Sequence, residues 1–270
     1  MKRMLVAVRK FVLPALLLVA VLSLSSRVLA SHAWGSYHWA RTSNPFTLKL
    51  GDNLTSNWDS YLATTSSDWS QASVLDTRIV AGNGGKNCRP TSGRIEVCNK
   101  KYGNNGWLGL AQIWISGTHI VQGTAKMNDT YFITPSYNTP AWKNLVMCQE
   151  VAHGFGLDHQ DENFNNTNLG SCMDYTGDPD GPPSNEHPNQ HDYDMLAQIY
   201  AHLDSSSTVD QSQDVAGDTG GPGKPGFAGF EGSDNAKEWG RAIKDNGYVA
   251  LFERDFGGGN KLFTFVIFAK

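Results

Sequence analysis

Residues 147–159 read MCQEVAHGFGLDH, and the reading of these thirteen letters decides the fold. Residues four apart on a helix share a face, so Gln149 and His153 project toward one point with Glu150 beside them. His159 lies beyond the helix, because Gly156 lets the backbone turn left-handed and swing the next segment back beneath it. A carboxamide, two imidazoles and a carboxylate then converge, which is the geometric logic of a metal site with a general base at its edge. Asp158 offers a further oxygen but precedes His159 and is expected to point away.

Working outward, Thr139-Pro140 supplies the start of that helix, with Thr139 as N-cap and Pro140 at the first helical position. Gly154 and Gly156 mark its end. The following stretch, DHQDENFNNTNLGSC, is loop by composition. A second helix is expected over about His191–His202, with Met195, Leu196, Ile199 and Tyr200 on one stripe. Upstream, Asn44–Leu50 and Thr77–Ala81 read as strands flanking a helical segment through Trp58, Tyr61 and Leu62, a βαβ unit with parallel pairing. Trp107–Ile115 and His119–Asn128 read as a hairpin around Ser116-Gly117-Thr118.

Residues 1–30 have the layout of a secretory signal peptide, with a basic start (Lys2, Arg3, Arg9, Lys10), the apolar run Phe11–Leu24, and small residues before Ser31. That run is shorter than the roughly 20 residues a membrane span needs. The alternative is an uncleaved anchor. Removing these residues takes away five basic groups and no acid, leaving 17 Lys+Arg against 26 Asp+Glu, a formal charge of −9. That balance argues against nucleic acid and anionic membrane as partners. All four cysteines lie in the exported part, where disulfides are expected. Of the three possible pairings, Cys88 with Cys98 brackets a short turn-rich loop, and Cys148 with Cys172 would tie the helix to the segment folding back beneath it. With no C-x-x-C pair, a zinc–thiolate cluster is not expected.

The segment Glu150, His153, Gly156, His159 resembles the metzincin clan of zinc metallopeptidases, most of all secreted matrixin-like enzymes of bacterial type. The clan pattern is H-E-x-x-H-x-x-G-x-x-H followed by a methionine turn, and SCMDY (Ser171–Tyr175) looks like that turn, with Met173 as the base beneath the metal. The strand and helix order from about Asn44 to Leu203 also follows the clan. The resemblance implies an α+β fold: a mixed twisted sheet, an active-site helix and a small helical subdomain after Gly156. It implies one catalytic zinc held by His153 and His159 with Gln149 in the first ligand's place, Glu150 as general base, and Tyr175 as a phenol near the metal whose bland alternative is an ordinary packed tyrosine. It also implies that Gly109, Leu110 and Ala111 belong to the sheet's edge strand, against which an extended protein or peptide substrate lies. The expected reaction is peptide-bond hydrolysis by a secreted, monomeric endopeptidase. The alternative is an inactive module of the same fold that binds extended peptides with weak or no zinc.

Gln149 departs from the clan pattern, since a carboxamide oxygen is a weaker donor for zinc than imidazole. Three outcomes are open: Gln149 ligates through its oxygen, a water or another residue completes the shell, or the site is empty. His32, His38, His119, His187, His191 and His202 lack motif spacing and are expected at the surface or as caps, with His187 and His191 the first candidates for a substitute ligand. The runs DHQDENFNN and TGDPDG offer oxygen donors for calcium, with solvated loop as the alternative. Domain boundaries are expected at 31–204 for the main domain, 205–232 for a flexible linker rich in Ser, Gly, Pro and Asp, and 233–270 for a C-terminal appendage of one short helix and a hairpin around GGGN, too small for a large core of its own and expected to pack onto the main domain or to dock elsewhere.

Overall fold

A computed structural model describes residues 32–212 and 231–270. The expected signal peptide and the centre of the expected linker lie outside the described residues. Along the chain run β1 (His38–Trp39), β2 (Phe46–Asn53), α1 (Asp59–Trp69), β3 (Leu75–Ala81), β4 (Ile95–Lys100), β5 (Trp107–Ser116), β6 (His119–Asn128), the single turn α2 (Asp129–Phe132), α3 (Pro140–His153), α4 (Gln190–Ile199), β7 (Arg241–Asp245), β8 (Val249–Gly257) and β9 (Asn260–Phe268).

The fold is α+β, dominated by one mixed sheet in the order β3-β2-β4-β6-β5-β9-β8-β7, with β1 beside β6. The pairs among β2, β3, β4 and β6 are parallel, and those from β6 through β5 to β7 are antiparallel. β1 pairs with β6 at His119 and Ile120, whereas β4 pairs with it from Gly123 onward, so β1 and β4 follow one another along the same side. β4 is a strand that the sequence reading absorbed into the disulfide loop. It carries buried Glu96 and Asn99, which hide the apolar alternation that would mark it.

Helices α1 and α3 cover the sheet through Leu62 and Trp69 of α1 and Leu145, Val146 and Val151 of α3, against strand residues such as Leu50, Ile113 and Met127. Thr139 caps α3 by accepting from the Trp142 N–H at 3.2 Å, ahead of Pro140. Residues 145–153 are buried without interruption, so α3 is enclosed on all sides as few helices are. Its C-terminal carbonyls cannot reach water and need donors from the protein. The Trp34 indole donates to His153 O at 3.2 Å, the Trp39 indole to Gly154 O at 2.7 Å, and the Tyr200 hydroxyl to Phe155 O at 2.8 Å. Gly156 then turns at φ +100°, where an added Cβ would fall 2.6 Å from Tyr37 O.

Two findings about the C-terminal part refine the expectation. First, of the two placements expected it takes the main domain, and it does so as part of the sheet. The described residues from 32 onward belong to one compact unit, and β9 continues the main sheet by pairing with β5. The expected helix is a single 3-10 turn at Ala236–Glu238, ended by Gly240 at φ +97°, and three strands follow rather than two. Second, the expected linker does not begin at 205. Val209 is buried, Thr208 N–H donates to Ala40 O, and the Lys49 ammonium meets the Asp210 carboxylate at 3.1 Å, so residues 207–212 lie along the parallel half of the sheet.

Trp39→Phe keeps an aromatic ring but strands the buried Gly154 carbonyl. The loss should destabilise the chain by roughly 1–3 kcal/mol, with a further cost for the smaller ring. Urea unfolding would measure it, and an unchanged midpoint would show that the carbonyl finds another donor.

Candidate active site

The turn Ser171–Tyr175 is drawn against α3 by the Cys148–Cys172 disulfide; the other two cysteines, Cys88 and Cys98, are also bonded to each other. Beside the first bridge, the Gln149 amide nitrogen donates to Cys172 O at 2.7 Å, which turns Oε1 the other way. His153 is fixed by the same device, its Nδ1 lying 2.8 Å from Leu157 O, so the proton sits on Nδ1 and the lone pair on Nε2. His159 follows suit, with Nδ1 3.2 Å from Glu162 Oε1. The rings of His153 and His159 stand at 90° with centroids 4.8 Å apart.

Gln149 Oε1, His153 Nε2, His159 Nε2 and both Glu150 oxygens are buried without a hydrogen-bond partner. A stranded buried polar atom costs roughly 1–3 kcal/mol, so five of them on neighbouring side chains leave acceptors open to a ligand. Two imidazole nitrogens and a neutral oxygen, each aligned from behind by its own hydrogen bond, fit a divalent metal of borderline softness. Glu150 stands apart as a carboxylate without such an anchor. Burial pushes its carboxyl well above the usual range, and the nearby Ala111 amide offsets part of that. Burial and then the neighbouring His159 push His153 well below its usual value, consistent with a neutral ring.

Gly109 explains how β5 comes so close: a Cβ there would fall 2.5 Å from Glu150 Oε1 and 2.6 Å from Val146 Cγ1. Met173 is fully buried in the turn, its N–H held by the Ser171 hydroxyl at 2.9 Å. Tyr175 is buried too, its ring 6.4 Å from that of His159, and its hydroxyl donates to Tyr248 O at 2.9 Å. Burial raises its phenol pKa.

The expected edge strand is covered. Gly109 pairs with Ile267, Leu110 with Val266 and Ala111 with Phe265, so β5 is an interior strand. Strand β9 can fill this position because it is apolar on both sides. Phe263, Phe265 and Ile267 join the main core, while Leu262 and Val266 join two smaller clusters on the opposite face. Phe265 stacks on the His153 ring at 4.0 Å with 12° between planes. From β7, Lys244 reaches Asp158 at 3.1 Å and Glu162 at 2.7 Å. Burial alone would raise Glu162, but hydrogen bonds from His159 and Lys244 outweigh it and hold the carboxyl down at about 2. Asp158 therefore faces β7 and the His159 backbone, and Lys244 is the cation bridging this part of the DHQDENFNN run.

His187 contacts Asp68 at 2.6 Å, and His191 stacks on His32 at 4.8 Å, each drawn off by its own partner, so neither serves as a substitute ligand. His32 and His38 are buried rather than exposed. Among the described residues, three groupings of His, Asp and Glu could hold a metal ion: His32/His191/Asp192, His38/His119/Asp204 and Asp158/His159/Glu162. Among the described residues no helix is long and apolar enough to cross a membrane. No family profile matches the chain, and no curated protein matches it.

Gln149→His exchanges a carboxamide oxygen for a stronger imidazole donor while keeping a proton for Cys172 O. Zinc affinity should rise at least tenfold in a competition titration with a chromophoric chelator. Equal affinities would mean that position 149 does not contribute to the shell.

Proposed function

We propose that the chain is an exported zinc-dependent endopeptidase whose C-terminal strand occupies the place of substrate. The observation that carries this is the set of three stranded acceptors, Gln149 Oε1, His153 Nε2 and His159 Nε2, aligned beside the unanchored carboxylate of Glu150. Zinc bound by these three side chains would supply Lewis acidity toward a carbonyl and lower the pKa of water there.

Glu150 is placed to take a proton from water and return it to the leaving amine. Strand β5 offers its main chain to an extended peptide, as β9 now uses it. With β9 undocked together with β8, which among the described residues pairs only with β9 and β7, the Tyr175 hydroxyl loses Tyr248 O and is free to turn toward a substrate oxyanion. Two disulfides suit an exported chain.

A second reading, a non-catalytic module that holds extended strands, is favoured by the β5–β9 pairing itself. Purified chain assayed with zinc on a broad peptide library separates the two. Cleavage abolished by Glu150→Ala, with zinc content retained, supports the peptidase. Zinc-independent peptide binding with no cleavage, even once β9 is loosened, leaves the module.

Phe263→Ala with Phe265→Ala loosens β9, since each truncation costs roughly 3–5 kcal/mol of packing, more than the 1.4 kcal/mol that shifts an equilibrium tenfold. Cleavage should rise by about tenfold or more, and a synthetic peptide of residues 260–270 should suppress it again. If hydrogen exchange shows β5 amides released while the rate stays flat, β9 is not a gate.

A further inference from the structure

We infer that His38, His119, His202 and Asp204 form a second metal site, a closed structural one of three imidazoles and one carboxylate. It does not depend on the peptidase reading. His38 lies on β1, His119 opens β6, and His202 and Asp204 follow α4, so the four converge only in the folded chain.

His38, His119 and Asp204 hold their ligand atoms within 4.8 Å of one another, and His202 approaches two of the three. His202 Nε2 is 3.1 Å from His38 Nε2, and Asp204 Oδ1 lies 3.2 Å from His119 Nε2, 3.5 Å from His38 Nε2 and 3.8 Å from His202 Nε2. Tetrahedral ligands at zinc's usual bond length are about 3.3 Å apart. The rings are edge-on rather than stacked, His38 standing at 87° to His119 and 85° to His202, as imidazoles do when their lone pairs meet at one point.

Two of the donors, His38 and Asp204, are aligned from behind. His38 Nδ1 is 2.8 Å from Ser36 O, which places the proton there and the lone pair on Nε2. Asp204 Oδ2 accepts from the Arg41 N–H at 3.2 Å and its guanidinium at 2.9 Å, which leaves Oδ1 to the histidines. The Arg41 guanidinium also holds the carbonyls of Tyr200 and His202, fixing the turn that carries two of the ligands. The side chain of His38 is 7% exposed and that of His202 is 53% exposed, which gives an ion a route in.

Three nitrogens and one oxygen suit zinc, and four protein ligands leave no open position, so the role is structural. The ion would clip β1 and the end of α4 to the hairpin.

The test is metal counting on the full chain, stripped with chelator, reloaded with zinc and desalted. His119→Gln with His202→Gln, both at partly exposed positions, should bind one equivalent fewer than the parent and lose most of the zinc-dependent rise in melting temperature. His153→Gln, which cripples the other centre, should keep an equivalent that disappears when the first two changes are added. An unchanged equivalent count in the double variant, or a folded His153→Gln chain that binds no zinc, overturns the site. Failure of the peptidase reading would instead appear as absent Glu150-dependent cleavage with this equivalent intact. Should the variants fail to fold, cobalt(II) added to the wild-type chain decides: a paramagnetic shift of the His38 Nδ1 proton supports the site, and its absence overturns it.

Discussion

The buried end of α3 is the constraint on which the rest of the structure depends. A helix that ends inside the protein leaves carbonyls that water cannot satisfy. Here three are taken by aromatic donors from distant parts of the chain: Trp34 and Trp39 near the N-terminal end of the described residues and Tyr200 at the end of α4. A fourth, Leu157 O, is taken by His153 itself. The same bonds that make burial tolerable therefore set the ring orientation of one candidate ligand and hold the backbone turn that delivers another. Stability and site geometry are one problem at this point.

That coupling explains why the sequence was informative here. Thr139-Pro140 and Gly154–Gly156 bound α3 by local chemistry, and helical spacing puts Gln149, Glu150 and His153 together, so the core of the site could be read without tertiary information. The βαβ unit and the β5–β6 hairpin were legible for the same local reasons. β4 was not, because Glu96 is buried at strand spacing and serves Arg94, Asn53 and the backbone of Asn83 and Gly84. The histidines at 38, 119 and 202 were passed over because nothing local relates them. Their register, His38 opposite His119 and Asp204 against Arg41, is a property of the sheet and of α4 packing.

The location of β9 was beyond the sequence for a different reason. Alternating apolar residues announce a strand, not its partner. β5, an apolar strand packed on α3, would as an edge expose a row of main-chain donors and acceptors to any strand that reached it. β9 answers on both faces, with Phe263 and Phe265 packed tilted and edge-on against Trp34 and with Val266 beside Leu110 and Trp107. The contacts then extend to the site: Phe265 on His153, Tyr248 O on Tyr175, Lys244 on Asp158 and Glu162. A segment that served only to cover an edge would not need all three.

The two sets of convergent donors share one construction and differ in one respect that separates their roles. In the first, His153 and His159 are anchored at Nδ1 by an acceptor and present Nε2, and in the second His38 is held the same way. Around Gln149 three unpartnered acceptors sit beside Glu150, whose oxygens also lack a partner, and the proposed open site would use that carboxylate to move protons. Around Asp204 the carboxylate is locked by Arg41, and the proposed closed site would take its fourth ligand from His202. The sets are also joined in sequence: Trp39, whose indole satisfies Gly154 beside His153, directly follows His38. Fixing His38 restrains that indole, so an ion at the closed set would stiffen the buried helix end on which the open set is built.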